Sequence, residues 1–259
     1  MTKVTTGSVA RDLVLLHGGL YDSSSWDLVV RHLEREAVGA FRSIVVLDFP
    51  GSGRKRGSPN VDSSRSEIID ELNADVRAAG AQHAVLVGHS VAATLVVEMV
   101  LRQRYEALCI ITGPVLEPGQ PAAELFGNST FGSEPDKVGY PADPETTDPM
   151  AMHRLRFTLD MTDADADAWL ADVGKNVVPS SIMSTPFPGI DTARLPPVTY
   201  VVADRSPVFP VAWQETFARR LGDATRVEHL PTGHAPFLTH PEQVGELLVR
   251  LYGVIPSGA

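Results

Sequence analysis

The sequence lacks three features that would assign it to particular protein classes: paired cysteines, an excess of positive charge and a long apolar run. Its 259 residues include one cysteine, Cys109, which excludes an internal disulfide framework and a cysteine-rich metal site. The formal net charge of −10 leaves no basic surface for nucleic acid and disfavours binding to anionic lipid. No apolar run approaches membrane-spanning length, and residues 1–10 contain no apolar segment typical of a signal peptide. We therefore expect a cytoplasmic protein that binds a small molecule and contacts neither nucleic acid nor a membrane.

Short apolar runs alternate with helical patterns along most of the chain. The strand candidates are Leu13–Leu16, Ser43–Leu47, Ala84–Val87, Ala107–Ile111, Val198–Val202 and Arg226–Leu230. The helical patterns cover Ser25–Glu36, Ser64–Ala79, Val91–Gln103, Val211–Leu221 and Pro241–Tyr252. Because most of the strand candidates are nearly continuous runs of Val, Ile and Leu, both faces of the sheet should be buried. The sequence predicts an α/β fold with a mostly parallel, doubly wound sheet and helices on both sides.

One long segment interrupts this alternation. Residues 114–191 are rich in Pro, Gly, Asp and Thr, with local helical patterns only at Pro149–Leu159 and Ala164–Val173. We interpret this segment as a small lid, inserted into a core formed by residues 1–113 and 192–259. A lid at this place in the chain is expected to lie over the reactive serine described next.

The segment that carries the most chemical information is the end of the third strand candidate. Residues 84–93 read AVLVGHSVAA, an apolar strand followed by a Gly-x-Ser-x-Ala turn and a helix. A serine at such a sharp turn is lifted above the sheet edge at the positive end of a helix. The backbone N–H of Val91 can then face a developing oxyanion. Ser90 is therefore the candidate nucleophile, although the motif alone also occurs by chance.

Two other segments strengthen this interpretation. The first strand candidate ends in His17, Gly18 and Gly19, where small residues let a backbone amide approach a substrate oxygen. Gly19 N–H is the natural second oxyanion donor. Near the other end of the chain, His234 follows the last strand candidate, from which an imidazole base could reach Ser90. The chain order of oxyanion loop, serine and histidine differs from that of the serine proteases.

Together these motifs resemble the α/β-hydrolase superfamily. The residues that carry the resemblance are His17–Gly19, Asp48–Gly53, Gly88–Ala92 and Gly233–Phe237. The compact lid and the Gly-His-Ala-Pro-Phe-Leu ending are most similar to the small-lid branch that holds plant methylesterases, hydroxynitrile lyases and bacterial relatives. The resemblance implies Ser90 as nucleophile, His234 as base, and Gly19 with Val91 as oxyanion donors.

The chain departs from the family pattern at the acid that supports the histidine. In the family this acid follows the strand that here is Val198–Val202, typically four residues before a proline. Ser206 stands at that spacing, and Asp204 lies two residues earlier. Asp204 in a shifted loop is the favoured acid; the alternatives are Ser206 as a neutral partner, an acid elsewhere such as Glu117, or no supporting residue.

The function predicted from these residues is hydrolysis of an ester or lactone of a small apolar or aromatic molecule through an acyl-enzyme. The candidate substrate-binding residues are Gly18, His89, Phe126, Phe131, Phe157 and Trp169. No cofactor and no metal is expected, because the histidines lack ligand spacing. A homodimer is left open. The alternatives are a lyase or carbon–carbon hydrolase that uses the same Ser-His pair, and a non-catalytic binding protein with a degenerate hydrolase site.

Overall fold

The computed structural model describes residues 10–125 and 148–254. Its strands form one parallel sheet in the order β2-β1-β3-β4-β5-β6. The strands are β1 (Asp12–Leu16), β2 (Ser43–Leu47), β3 (Ala84–His89), β4 (Ala107–Ile111), β5 (Val198–Ala203) and β6 (Arg226–Leu230). Every strand predicted from the sequence is present, and the predicted fold class is confirmed.

Helices flank the sheet. They are α1 (Asp27–Glu36), α2 (Arg65–Ala78), α3 (Ala93–Arg102), α4 (Ala122–Leu125), α5 (Pro149–Phe157), α6 (Asp163–Val173), α7 (Ser180–Ser184), α8 (Val211–Arg220), α9 (Pro236–Thr239) and α10 (Pro241–Tyr252). The short helices α4, α7 and α9 have no counterpart among the sequence predictions, because four or five residues are too few to show a helical period.

The side chains of each strand alternate between two buried layers. In β1, Leu13 and Leu15 join one layer, whereas Val14 and Leu16 join the other. Residues of α1 and α10 complete the first layer, and residues of α2, α3 and α8 complete the second. Burial on both faces explains why the strand reads as an uninterrupted apolar run. It also leaves the carboxyl ends of the strands as the place where polar side chains can meet.

The segment predicted to be a lid joins β4 to β5 and contains α4 to α7. Two of its described residues, Phe157 and Asp160, contact the loop that follows β6 at the carboxyl end of the sheet, while residues 126–147 lie outside the described part. The division into a core and a lid stays a prediction. Among the described residues, no helix is long and apolar enough to cross a membrane.

Candidate active site

Ser90 lies at the turn between β3 and α3. Its φ of +51° is in the left-handed region, which non-glycine residues rarely adopt. A backbone in this region is strained by about 1–3 kcal/mol and persists only where its surroundings hold it. Two glycines permit the close packing that does so: a Cβ on Gly88 would lie 2.7 Å from Val96 Cγ2, and a Cβ on Gly113 would lie 2.7 Å from the Ser90 carbonyl oxygen.

His234 lies in the loop between β6 and α9 and contacts Ser90 across the carboxyl edge of the sheet. Its Nε2 is 3.0 Å from Ser90 Oγ, which is hydrogen-bond distance. Both side chains are buried. Burial, with a smaller contribution from His89, holds the pKa of His234 well below its usual range, so the imidazole is neutral at neutral pH. A neutral imidazole next to a hydroxyl is the arrangement of a general base with its nucleophile.

The other ring nitrogen of His234 faces Ser206 and not Asp204. Ser206 Oγ lies 3.1 Å from His234 Nδ1. Asp204 contacts His229 instead, with 2.7 Å between its carboxylate and the Nδ1 of that histidine. The expectation that Asp204 supports His234 is therefore wrong, because this carboxylate contacts His229.

The local backbone explains why the two residues diverge. Asp204 directly follows β5, and its N–H donates to the Leu230 carbonyl oxygen at 2.9 Å, which extends the pairing with β6. This places its side chain beside His229, a residue of the neighbouring strand, at the partly exposed outer side of the sheet. The chain then turns, and Ser206 N–H donates to the Ala203 carbonyl oxygen. The turn brings the Ser206 hydroxyl back to the buried histidine.

Glu117, the alternative acid, is also engaged away from His234. Its carboxylate forms an ion pair with Arg220 at 2.6 Å, and its side chain is 66% exposed. Since the candidate base is fully buried, this carboxylate lies at the surface and not in the site. Of the alternatives that the sequence left open, the geometry favours Ser206 as a neutral partner.

The predicted oxyanion residues are neighbours in space. A Cβ on Gly19 would lie 3.5 Å from Val91 Cγ1, so the two residues lie close together at the end of the sheet. A Cβ on Gly18 would lie 2.8 Å from Ser90 Cβ, which only glycine avoids. His17 holds this loop, because its Nδ1–H donates to the Gly18 carbonyl oxygen at 2.8 Å. The loop is thus positioned beside the serine, and the role of Gly19 and Val91 as oxyanion donors stays a prediction.

His89 packs behind the Ser-His pair. Its Nε2–H donates to the His234 carbonyl oxygen at 2.8 Å, which fixes the backbone of the histidine loop. Because a carbonyl oxygen only accepts, Nε2 carries the proton and Nδ1 does not. Burial lowers the pKa of His89 to about 3. His89 is therefore a neutral residue that packs next to His234 with a ring separation of 4.9 Å.

Aromatic side chains of the inserted segment reach the site. The Phe157 ring lies 5.6 Å from the His234 ring and 5.9 Å from the Trp169 ring. Trp169 in turn lies 5.4 Å from Tyr21, and both residues line a cavity of about 130 Å³. Phe126 and Phe131, also predicted to bind substrate, lie outside the described residues.

Two contributors to the site had no signal in the sequence. Tyr21 follows the oxyanion glycines, and its ring packs edge-on against that of His89 at 5.5 Å. Asp160, between α5 and α6, accepts the Gly233 N–H at 2.7 Å and forms an ion pair with Arg205 at 3.0 Å. Asp160 therefore ties the inserted segment to the histidine loop across 73 residues of sequence. Only the folded chain brings these residues together.

The part of the chain that the structure describes contains no cluster of His, Cys, Asp and Glu side chains able to hold a metal ion. Ser90 and His234 form the hydrogen-bonded pair of the candidate site, with Ser206 on the other side of the histidine ring.

The comparisons with known proteins agree with this fold. The model of the alpha/beta hydrolase family matches residues 13–247, whereas no curated protein matches the chain. A pyrethroid hydrolase from Sphingobium faniae JZ-2 is 20% identical, with 94% of this chain and 98% of that chain covered and a TM-score of 0.65. An extracellular alpha/beta-hydrolase from a Paenibacillus species, with homology to tobacco salicylic acid binding protein 2, is 17% identical over 95% and 100% of the two chains, with a TM-score of 0.73. Polyneuridine aldehyde esterase is 16% identical over 94% and 99%, with a TM-score of 0.67.

Proposed function

This chain belongs to the alpha/beta hydrolase family, and from that membership we propose that it hydrolyses an ester or lactone of a small apolar or aromatic molecule, with Ser90 as the nucleophile. The observation that carries the proposal is the 3.0 Å contact between Ser90 Oγ and His234 Nε2. It occurs at a strained strand-to-helix turn, where backbone strain is commonly stored for function.

The proposed reaction begins with proton transfer from Ser90 to His234. For Nε2 to accept this proton, Nδ1 must carry its own, which it donates to Ser206 Oγ. The serine oxygen attacks the carbonyl carbon, and the oxyanion that forms is held by the N–H groups of Gly19 and Val91. His234 then passes the proton to the departing alcohol, which leaves an acyl group on Ser90.

The second half of the proposed reaction repeats these steps with water. His234 takes a proton from the water as it attacks the acyl carbon, and returns that proton to Ser90 Oγ as the acid departs. Each proton transfer thus runs through Nε2 of the same imidazole. The low pKa of His234 keeps this nitrogen free to accept a proton at neutral pH.

The surroundings of the pair support an apolar or aromatic substrate. Phe157 and Trp169 approach the site from the inserted segment, and Val178 lies 3.1 Å from the place where a Cβ on Gly19 would stand. Apolar and aromatic walls with few polar groups are typical of small-molecule sites. Two of the structural neighbours are named a pyrethroid hydrolase and polyneuridine aldehyde esterase.

The proposal is tested by removing each member of the pair. We expect Ser90→Ala and His234→Ala each to lower kcat on phenyl acetate by about a thousandfold or more, because the two act as one unit. Asp204→Asn, which alters the contact with His229 at the outer side of the sheet, is the matched control and should change kcat by less than about twofold. Circular dichroism checks the fold of each variant. Wild-type turnover in Ser90→Ala would refute the mechanism.

A binding protein with an inactive hydrolase site is the second candidate, and Ser206 is the observation that favours it. A neutral partner stabilises an imidazolium less than a carboxylate does, so His234 is a weaker base than in a carboxylate-supported site. Labelling with a fluorophosphonate separates the two functions. An activated Ser90 reacts and becomes labelled, with Ser90→Ala as the blank, whereas an inert pocket stays unlabelled.

A further inference from the structure

Ser206 supplies His234 with a partner of unusual chemistry. Its Oγ lies 3.1 Å from His234 Nδ1 and also accepts the backbone N–H of Phe209 at 3.3 Å. A carboxylate at this place could only accept a hydrogen bond, whereas a hydroxyl both donates and accepts. His234 therefore contacts an uncharged group. Because this hydroxyl can donate to Nδ1 or accept from it, it does not fix which ring nitrogen of His234 holds the proton.

The two carboxylates considered as the supporting acid, and the carboxylate that contacts the histidine loop, are engaged elsewhere. Asp204 contacts His229, Glu117 forms an ion pair with Arg220, and Asp160 accepts the N–H of Gly233. Over residues 10–125 and 148–254, the hydrogen bonds of the His234 ring go to two serine hydroxyls and to no carboxylate. An imidazolium at this position would therefore lack a hydrogen-bonded counter-charge.

This environment makes the charged form of His234 unfavourable. The ring is buried, it faces the neutral His89 and Phe157 rings, and its pKa is lowered mainly by that burial. In a serine protease, replacing the supporting carboxylate by an amide lowers turnover by about 10⁴. Steps that require a proton to reside fully on His234 should be slow here for the same reason.

The acylation step shows which substrates avoid this requirement. The Ser90 O–H bond breaks, its proton passes to His234 Nε2, and the oxygen electron pair forms the bond to the carbonyl carbon. Collapse then breaks the bond to the leaving group, which takes that electron pair. An alkoxide departs only by taking the proton from Nε2, so it needs a formed imidazolium.

Acidic leaving groups behave differently. A phenol ionises near a pKa of about 10 and a thiol near about 8.5, far below an alkanol. Their anions can depart with the electron pair before any proton reaches them, and they take that proton afterwards from Nε2 or from water. The carbonyl carbon is also more electrophilic in aryl esters, so attack requires less proton transfer to His234 at the transition state.

We propose that Ser206 makes this site selective for esters with acidic leaving groups, namely aryl esters, enol lactones and thioesters, over alkyl esters of the same acid. The inference rests on the proposed function and names the substrate class of that site. Ser206 is a positioning residue in this reaction, since it acts on substrate only through His234.

The test compares three acetates that share one acyl group: phenyl acetate, S-ethyl thioacetate and ethyl acetate. kcat/KM is measured near neutral pH and divided by the hydroxide rate constant of each ester, which removes intrinsic reactivity. The variants are Ser206→Asp and Ser206→Asn. The second is the matched control, because asparagine has the shape of aspartate but no charge. We expect the wild type to prefer the thioester over ethyl acetate by about a hundredfold or more after this correction.

Ser206→Asp should raise kcat/KM for ethyl acetate at least about tenfold more than for phenyl acetate, and Ser206→Asn should not. A merely structural role for Ser206 would shift all three esters together. If Ser206→Asp does not fold, the wild-type ratio of thioester to ethyl ester decides, because these two substrates are nearly identical in shape.

The outcomes separate this inference from the function on which it rests. The inference alone is overturned if hydrolysis depends on Ser90 but the wild type shows no thioester preference. It is also overturned if Ser206→Asp raises kcat/KM equally for all three esters. No hydrolysis that depends on Ser90, measured against Ser90→Ala on the two activated esters, overturns the proposed function together with the inference.

Discussion

Replacing His89 by glutamine should change how the stability of the protein depends on pH. His89 is completely buried, and its Nε2–H donates to the His234 carbonyl oxygen at 2.8 Å. Its ring faces Tyr21, Phe237 and His234. Burial is the main reason that its pKa is about 3 in the folded protein, compared with an ordinary value of 6.5. Glutamine keeps a donor amide but cannot take up a proton in this range.

The sign and size follow from proton uptake. Below about pH 6.5 the unfolded chain binds a proton on His89, while the folded chain does not until about pH 3. Stability is therefore complete above the unfolded pKa and is lost as the pH falls. Each pH unit removes about 1.4 kcal/mol per histidine, or about 2.7 kcal/mol between about pH 6.5 and pH 4.5. His234 acts in the same direction, so the variant should keep part of the slope.

The measurement is the free energy of unfolding in urea at a series of pH values, for the wild type and His89→Gln. The difference between the two should shrink by about 1.4 kcal/mol for each pH unit below about 6.5, because other titrations cancel in the comparison. The control is His83→Gln, which removes a histidine whose side chain is half-exposed. It separates the effect of burial from the effect of replacing any histidine by glutamine. A difference that is constant across this range would refute the assignment of His89 as a buried neutral group.

Two further substitutions test how the site is held. Asp160→Ala leaves the Gly233 N–H without its acceptor, so it should lower stability by about 1–3 kcal/mol and reduce kcat on phenyl acetate. The control is Asp163→Ala, which removes an exposed carboxylate of the same segment and should change neither stability nor kcat. Equal kinetics and urea midpoints for the two variants would contradict the role of Asp160. Gly18→Ala places a methyl 2.6 Å from the nearest side-chain atom and should lower stability by about 1–3 kcal/mol. Its control is Gly174→Ala, where an added methyl meets nothing within 4 Å. Equal thermal unfolding temperatures for the two variants would contradict the claim that Gly18 is crowded by its neighbours.

The parts of the site that the sequence predicted are those with a local signal. Ser90 was predictable because a strand, a turn and a helix in immediate succession place it at the sheet edge. His234 was predictable because it directly follows a strand of the same parallel sheet, and the carboxyl ends of such strands meet at one edge. Gly19 and Val91 follow from the same rule.

The partner of His234 shows where this kind of reasoning stops. Asp204 and Ser206 are two residues apart: the family spacing points to Ser206, whereas the need for a carboxylate points to Asp204. Which side chain reaches the histidine depends on the residue at which β5 stops pairing with β6 and the turn begins. No periodic pattern in the sequence marks that residue. Tyr21 and Asp160 lacked a signal altogether, since one is a single aromatic residue in a loop and the other contacts Gly233 from 73 residues away.

By itself, then, the sequence determined the class of fold, the order of strands and helices along the chain, and the positions of Ser90 and His234. These depend on apolar periodicity and on residues adjacent in the chain, which physical chemistry converts into local structure. Only the tertiary structure decided that His234 faces a hydroxyl instead of a carboxylate, that His89 is buried and neutral, and that Asp160 anchors the inserted segment. Those facts depend on distances between segments far apart in the sequence, and such distances exist only once the sheet has formed.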